Sequence, residues 1–237
     1  MSRIDESLGR VNTKDELEIL EKILEFKNEL ARKNEKLSLK DYGFRPDGST
    51  EEKSMGVICN KMGLVSRMGV NLFNLVRSFQ PESCIELGTG IGISSLYIAQ
   101  ALKLNKKGKL VTIEGDETLS ELANDVFYSF DLDNVNLING KFSEKLDTVL
   151  ESSKPVDFVF IDGDHNEERT VQYYQKCVSA MKNDSIFILD DIRWSPGMRR
   201  AWEKICHNRN VEEHKDMNRL GVCLISKWQS RGRIGID

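Results

Sequence analysis

Apolar residues recur along the chain at two different periods, and the change of period divides it. Leu17, Leu20, Ile23, Leu24 and Leu30 fall on one helical face and predict a helix running to about residue 33. Its start is marked by Thr13-Lys14-Asp15-Glu16, where the threonine hydroxyl can accept from the third backbone N–H while Glu16 reaches back. Residues 65–79 carry a second helical pattern that stops before Pro81. Between the two, Asp41 to Ser54 holds Gly43, Pro46 and Gly48 and reads as loop. From residue 82 onward, short apolar runs at Ser83–Leu87, Leu110–Glu114, Val135–Asn139, Val156–Asp162 and Ile186–Asp190 alternate with amphipathic stretches. One such stretch presents Leu119, Leu122, Ala123, Val126, Phe127 and Phe130; another presents Val171, Tyr174, Val178 and Met181. Strands alternating with helices predict an α/β fold, a parallel sheet covered on both faces. Val211 and then Gly221–Lys227 read as two strands with no helix between them, which permits an antiparallel neighbour. Ser195-Pro196 reads as a helix cap followed by a first-turn proline. Residues 1–60 are expected to form a helical cap or arm, and residues 61–237 the α/β domain.

Composition narrows the class. The chain has 237 residues, 30% charged and 39% hydrophobic, which suits one large soluble domain. A formal net charge of -4 argues against a nucleic acid as the main partner. No apolar run is long enough to cross a bilayer, and the first residues lack the apolar stretch of a secretory signal. Five scattered cysteines with no metal-binding spacing read as free thiols in a reducing cytoplasm.

Candidate chemistry begins at Cys84-Ile85-Glu86-Leu87-Gly88-Thr89-Gly90-Ile91-Gly92-Ile93-Ser94, a loop joining the first apolar run to a helix. Glycines there allow a sharp turn and close approach of a ligand. The dinucleotide fingerprint needs a glycine at the sixth position from Gly88, where this chain has Ile93. The string present is Glu86-x-Gly88-x-Gly90-x-Gly92, whose acidic residue suits a cationic or hydroxyl-rich ligand. Glu114 closes the next run, where a carboxylate can accept from two ribose hydroxyls. Asp162 ends the fourth run and Asp190-Asp191 the fifth, all on the carboxyl edge of a parallel sheet, where ligands bind. Strands lie about 5 Å apart, so three carboxylates would repel unless something cationic joins them. A hard divalent ion with oxygen ligands answers that need; capping of the following loops, or contact with a cationic cofactor, is the other reading.

The glycine loop, Glu114 and Phe160-Ile161-Asp162-Gly163-Asp164-His165 together resemble the class I S-adenosylmethionine-dependent methyltransferases. Within that superfamily, residues 60–227 look most like the small-molecule O-methyltransferases of the catechol and caffeoyl-CoA type and their bacterial relatives. The resemblance implies a Rossmann-like fold, a seven-stranded mostly parallel sheet of order 3-2-1-4-5-7-6 with strand 7 antiparallel, and a small-molecule hydroxyl as methyl acceptor. It implies that Glu86, Gly88, Thr89, Gly90 and Ser94 line the methionine and ribose part of the cofactor, with Glu114 on the ribose. Gly140, Phe142 and Ser143 would lie near the adenine, and Leu64 and Ser66 near the methionine end, with Asp162 also on the cofactor. A divalent metal (Mg, Mn or Ca) would be held by Asp162, Asp190 and Asp191. The family has Asn where this chain has Asp191, and a catalytic lysine where it has His165. Imidazole titrates near neutral pH, so His165 is expected to be the general base, with Asp164 fixing its tautomer or serving as base itself. The alternatives are metal-independent transfer to a sugar, peptide or amine, and a cofactor-binding protein without catalysis. Neither nucleic acid nor membrane is expected as a partner; the helix from Thr13 offers a face to a second subunit, as in a homodimer.

Overall fold

The computed structural model describes residues 1–40, 49–61 and 66–227, the side chains of residues 61 and 66 excepted. Two helices open the chain, α1 (Arg3–Leu8) and α2 (Lys14–Ala31). The capping box at the start of α2 forms as expected, with Thr13 accepting from the Glu16 N–H and the Glu16 carboxylate reaching the Thr13 N–H. Strands β1 (Lys36–Lys40) and β2 (Thr50–Ser54) then pair antiparallel, and α3 (Met55–Lys61) and α4 (Ser66–Phe79) lead to the sheet. Residues 50–54 are therefore strand where the sequence reads as loop. Thr50-Glu51-Glu52-Lys53-Ser54 buries no apolar face, so its pairing with β1 leaves no period-2 hydrophobic signal.

The main domain alternates β3 (Ser83–Leu87), α5 (Ile93–Asn105), β4 (Lys109–Glu114), α6 (Glu117–Ser129), β5 (Val135–Asn139), α7 (Phe142–Ser153), β6 (Val156–Ile161), α8 (Glu167–Ala180), β7 (Met181–Leu189), α9 (Pro196–Cys206), β8 (Val211–Met217) and β9 (Leu220–Ile225). The sheet order is β5-β4-β3-β6-β7-β9-β8, which is 3-2-1-4-5-7-6 when its strands are counted along the chain. β9 runs antiparallel to both neighbours, and the other pairs are parallel. This is the Rossmann-like topology that the resemblance implies. Met181, expected on the face of the preceding helix, instead opens β7 opposite Val156. Ser195 caps α9 through its hydroxyl and Pro196 occupies the first turn.

Alternate residues of each strand feed two cores. Phe158, Phe160, Ile186 and Ile188 face a layer built by α4, α5 and α6, which also takes in Ile4, Leu20, Ile23 and Leu30 of the N-terminal helices. Val159, Ile161, Phe187 and Leu189 face the layer of α7, α8 and α9. With both faces covered, β6 is buried along its full length, which explains its unbroken apolar run. The N-terminal arm is fastened by a buried ion cluster as well. Glu16 accepts from Arg10 and, across to α4, from Arg77 Nε at 2.6 Å.

Candidate active site

Pairing continues one residue past the strand ends and lays the expected site residues along one edge. Gly140 N–H donates to Glu114 O, Gly88 to Ile113 O, Asp162 to Leu87 O, and Asp190 to Ile161 O, at 2.8–3.0 Å. This is the carboxyl edge of the parallel strands, where α/β folds take their ligands.

The glycine loop opens that edge. Gly88 (φ +99°), Gly90 (φ +54°) and Gly92 (φ +86°) all lie in the left-handed region. A Cβ on Gly88 would stand 2.0 Å from the Asp162 carbonyl oxygen, whereas one on Gly90 would meet nothing within 4 Å. The loop is thus pressed against β6 at one end and open at the other, a cradle for a ligand. Glu114 faces the open part: its Oε2 accepts from Gly90 N–H at 2.8 Å and its Oε1 from Asp116 N–H at 2.9 Å. Burial pushes its carboxyl up to about 7, against the lowering effect of those N–H groups. A carboxylate with its remaining lone pairs beside an open backbone loop can accept the hydroxyl pair of a ribose.

Glu86 does otherwise. It is buried, with Oε1 accepting from Ser94 Oγ at 2.6 Å and Oε2 from Ser95 and from Thr112 Oγ1. Thr89 Oγ1 lies 2.6 Å from Thr112 Oγ1 and extends the network. Burial raises the Glu86 carboxyl, and its three hydroxyl partners oppose the rise. Glu86, Ser94 and Thr89 therefore shape the loop from beneath, with the Glu86 carboxylate, expected on the cofactor, buried among hydroxyls. The period-2 geometry of β3 is the reason: residue 86 points into the α5 face of the sheet.

Phe142 opens α7 with its ring at the position a Cβ on Gly163 would reach, and it packs edge-on against Tyr173. Ser143 lies beside it, exposed, in the first turn of α7. Leu64 lies outside the described residues, as does the side chain of Ser66.

Beyond the loop, Asp162, His165 and Asp191 converge, with one potential ligand atom from each within 4.8 Å of the others. His165 Nε2 is 3.6 Å from Asp191 Oδ2. Burial, with Asp190 and Asp191 nearby, raises the Asp162 carboxyl well above the usual range. Burial and Asp190 likewise raise Asp191. Trp194 stands over this cluster, its ring 6.0 Å from that of His165 and 59% exposed.

Two expected participants face elsewhere. Asp164 accepts from Arg169 Nε and Nη2 and from Tyr173 Oη at 2.9 Å. Its carboxylate is thus held by α8 rather than by the His165 ring. Asp190 is fully buried and gripped by Arg219, with Nε 2.9 Å from Oδ1 and Nη2 2.7 Å from Oδ2. Arg219 Nε is also 3.0 Å from Asp191 Oδ1. The expected ligand set of Asp162, Asp190 and Asp191 is corrected accordingly: its central member is spent on a guanidinium, and these three residues do not fit a divalent ion together. Arg219, Arg169 and Tyr173 carried no signal in the sequence beyond their charge or aromatic character, because each acts across a fold contact.

Residues 85–192 match the family model described as a methyltransferase domain. The fold is that of the Rossmann-like methyltransferases: the O-methyltransferase from Bacillus cereus, solved with S-adenosylhomocysteine, superposes with a TM-score of 0.61 over 94% of this chain and 96% of that one, at 18% identity. Catechol O-methyltransferase of Niastella koreensis is 28% identical over 120 residues, half of this chain and 52% of the relative. A Sulfurisphaera tokodaii protein named "Probable cobalt-precorrin-6B C(15)-methyltransferase (decarboxylating)" is 32% identical over 116 residues, 49% of this chain and 56% of the relative. The chain thus spans about half the length of the curated relatives it matches. Residues 85–192 are thus similar to a methyltransferase domain, and the curated likenesses include a catechol O-methyltransferase. Among the described residues no helix is long and apolar enough to cross a membrane.

Proposed function

We propose that the chain transfers the methyl group of S-adenosylmethionine to a hydroxyl of a small molecule, with His165 as the general base. The observation that carries this reading is the contact of two sites. The loop that Glu114 closes touches, through Gly88, the backbone of Asp162, which begins the Asp162–His165–Asp191 cluster. S-adenosylmethionine supplies an electrophilic methyl carbon on a sulfonium sulfur. Gly88, Gly90 and Glu114 hold and orient it; Gly140, Phe142 and Ser143 lie where the adenine would rest.

A phenolic hydroxyl has a pKa near 10, so little oxyanion exists at neutral pH and a positioned base is needed. His165 would take that proton, and Asp191, 3.6 Å from its Nε2, would stabilise the imidazolium that forms. The exposed Trp194 ring next to His165 suits a flat aromatic acceptor stacking on it. The likeness to a catechol O-methyltransferase supports the same acceptor class. A cytoplasmic setting agrees with five free cysteines, four of them buried. Leu17 and Leu24 stay exposed on α2 and form the face that a second subunit would cover.

The test is transfer of labelled methyl from S-adenosylmethionine to a panel of catechols, hydroxycinnamates, sugars, peptides and amines. Label on a phenolic oxygen is the expected result. Tight binding of S-adenosylhomocysteine with no turnover on any acceptor would leave a cofactor-binding protein instead.

A further inference from the structure

Arg219 sits in the two-residue turn between β8 and β9, after Asn218 at φ +74°. Both its backbone and its side chain hold the loop after β7. Ile192 N–H donates to the Arg219 carbonyl at 3.0 Å, while the guanidinium grips Asp190 through both oxygens and reaches Asp191 Oδ1.

We propose that Arg219 is the permanent countercation of the acidic edge, taking the place that the carboxylate pattern otherwise assigns to a divalent ion, and that it positions His165 through Asp191 in a site that works without metal. This rests on the methyl-transfer reading for the identity of the base, though not for the exclusion of the ion. Three features carry it. First, both oxygens of Asp190 are used: Oδ2 accepts from Arg219 Nη2, and Oδ1 accepts from Arg219 Nε and from Asp191 N–H at 2.7 Å. An ion on Asp190 would have to break a side-on, bidentate pair inside a fully buried position, and an ion held instead by Asp162, His165 and Asp191 would share Asp191 with the same guanidinium, which lies 3.0 Å from its Oδ1. Second, arginine stays protonated in proteins, so the cation is present at any working pH. Third, the chain of contacts is directional. Arg219 Nε, whose N–H is given to Asp190, lies within ion-pair distance of Asp191 Oδ1 at 3.0 Å, and Asp191 Oδ2 faces His165 Nε2 at 3.6 Å. The opposite ends of one carboxylate thus link the anchored guanidinium electrostatically to the imidazole.

The experiment titrates Mn²⁺ into the full chain and reads free ion by electron paramagnetic resonance, with S-adenosylhomocysteine calorimetry on the same samples. Wild type should leave the Mn²⁺ signal unchanged up to about millimolar ion, the range of the weakest protein sites for such hard cations. Arg219→Ala should bind Mn²⁺ at least tenfold more tightly, and Arg219→Lys, which keeps the charge, should stay closed. Methyl transfer by wild type should persist in excess EDTA and fall in Arg219→Ala. Uptake of one Mn²⁺ per wild-type chain at micromolar ion, or activity lost to EDTA and restored by Mn²⁺, overturns the proposal. So does an alanine variant that is folded by circular dichroism and gains no ion. Should that variant not fold, Arg219→Gln replaces it with the same expected gain. Calorimetry separates this from failure of the methyl-transfer reading, since loss of cofactor binding in wild type would strike that reading and leave the Mn²⁺ result standing.

Discussion

Gly90 donates its backbone N–H to Glu114 Oε2 at 2.8 Å, so the glycine loop and the carboxylate at the end of β4 form one unit. The pair ties the shape of the loop to the charge of Glu114. Removing the carboxylate by Glu114→Ala should weaken S-adenosylhomocysteine binding by about 1–3 kcal/mol, the scale of charge-assisted hydrogen bonds. Titration calorimetry that shows unchanged affinity would refute the ribose assignment.

The same carboxyl titrates at about 7, above its ordinary value, because it is buried. Ribose hydroxyls donate best to the ionised form, so cofactor affinity should fall as pH drops below 7, approaching about tenfold per unit. Stability runs the other way. A carboxyl whose folded pKa is raised contributes stability that is full below its unfolded value near 4.5 and is lost as pH rises through 7. Glu114→Gln should therefore raise the melting temperature relative to wild type at pH 8, leave it nearly unchanged at pH 4.5, and abolish the pH dependence of binding. Parallel melts and titrations at the two ends of that range check both signs.

His165 and Asp164 are neighbours with different duties, and substitution should separate them. His165→Ala is expected to slow methyl transfer by about 10²–10⁴ while cofactor affinity holds. Asp164→Asn removes the charge that Arg169 and Tyr173 bind, and should cost about 1–3 kcal/mol of stability with a smaller loss of rate. Single-turnover rates and denaturant midpoints on both variants decide it; a larger rate loss in Asp164→Asn would return the base role to that carboxylate.

Gly88→Ala tests the seam between loop and β6. Its Cβ would press on the Asp162 carbonyl oxygen from a residue at φ +99°. A loss of more than about 2 kcal/mol is expected from strain at a special backbone position. Gly90→Ala, with open space around its Cβ at φ +54°, should cost less stability and act mainly on cofactor affinity.

At the N-terminal arm, Glu16 is buried between Arg10 and Arg77, which hold its carboxyl down to about 2 although burial alone would raise it. A lowered folded pKa gives stability that is present above about 4.5 and lost as pH falls through 2. Glu16→Gln should destabilise by about 3 kcal/mol at pH 7, the order for breaking a buried pair, and by little at pH 2. Urea midpoints at the two pH values would show whether the difference closes.

The sequence alone determined the order of elements in the main sheet and the residues that end its strands. Strands β3 and β6 are buried apolar runs, and helix caps such as Thr13 and Ser195 are local hydrogen-bond devices, so both are written within a few residues. Glu114, Asp162 and Asp190 could be placed on one edge for the same reason: where a parallel strand ends is a local matter. What each side chain does there was decided by the tertiary structure. Glu86 meets hydroxyls from α5 and β4, Asp164 meets α8, and Asp190 meets an arginine 29 residues away that only the antiparallel return of β9 brings home. Asp164, His165 and Asp191 also take positive φ values of +67°, +32° and +53°, which non-glycine residues rarely adopt and which no local pattern announces. The direction of a side chain leaving such a residue depends on the packing that holds the backbone there. A string of acidic residues on the sheet edge could therefore be read as metal ligands until the fold supplied the guanidinium.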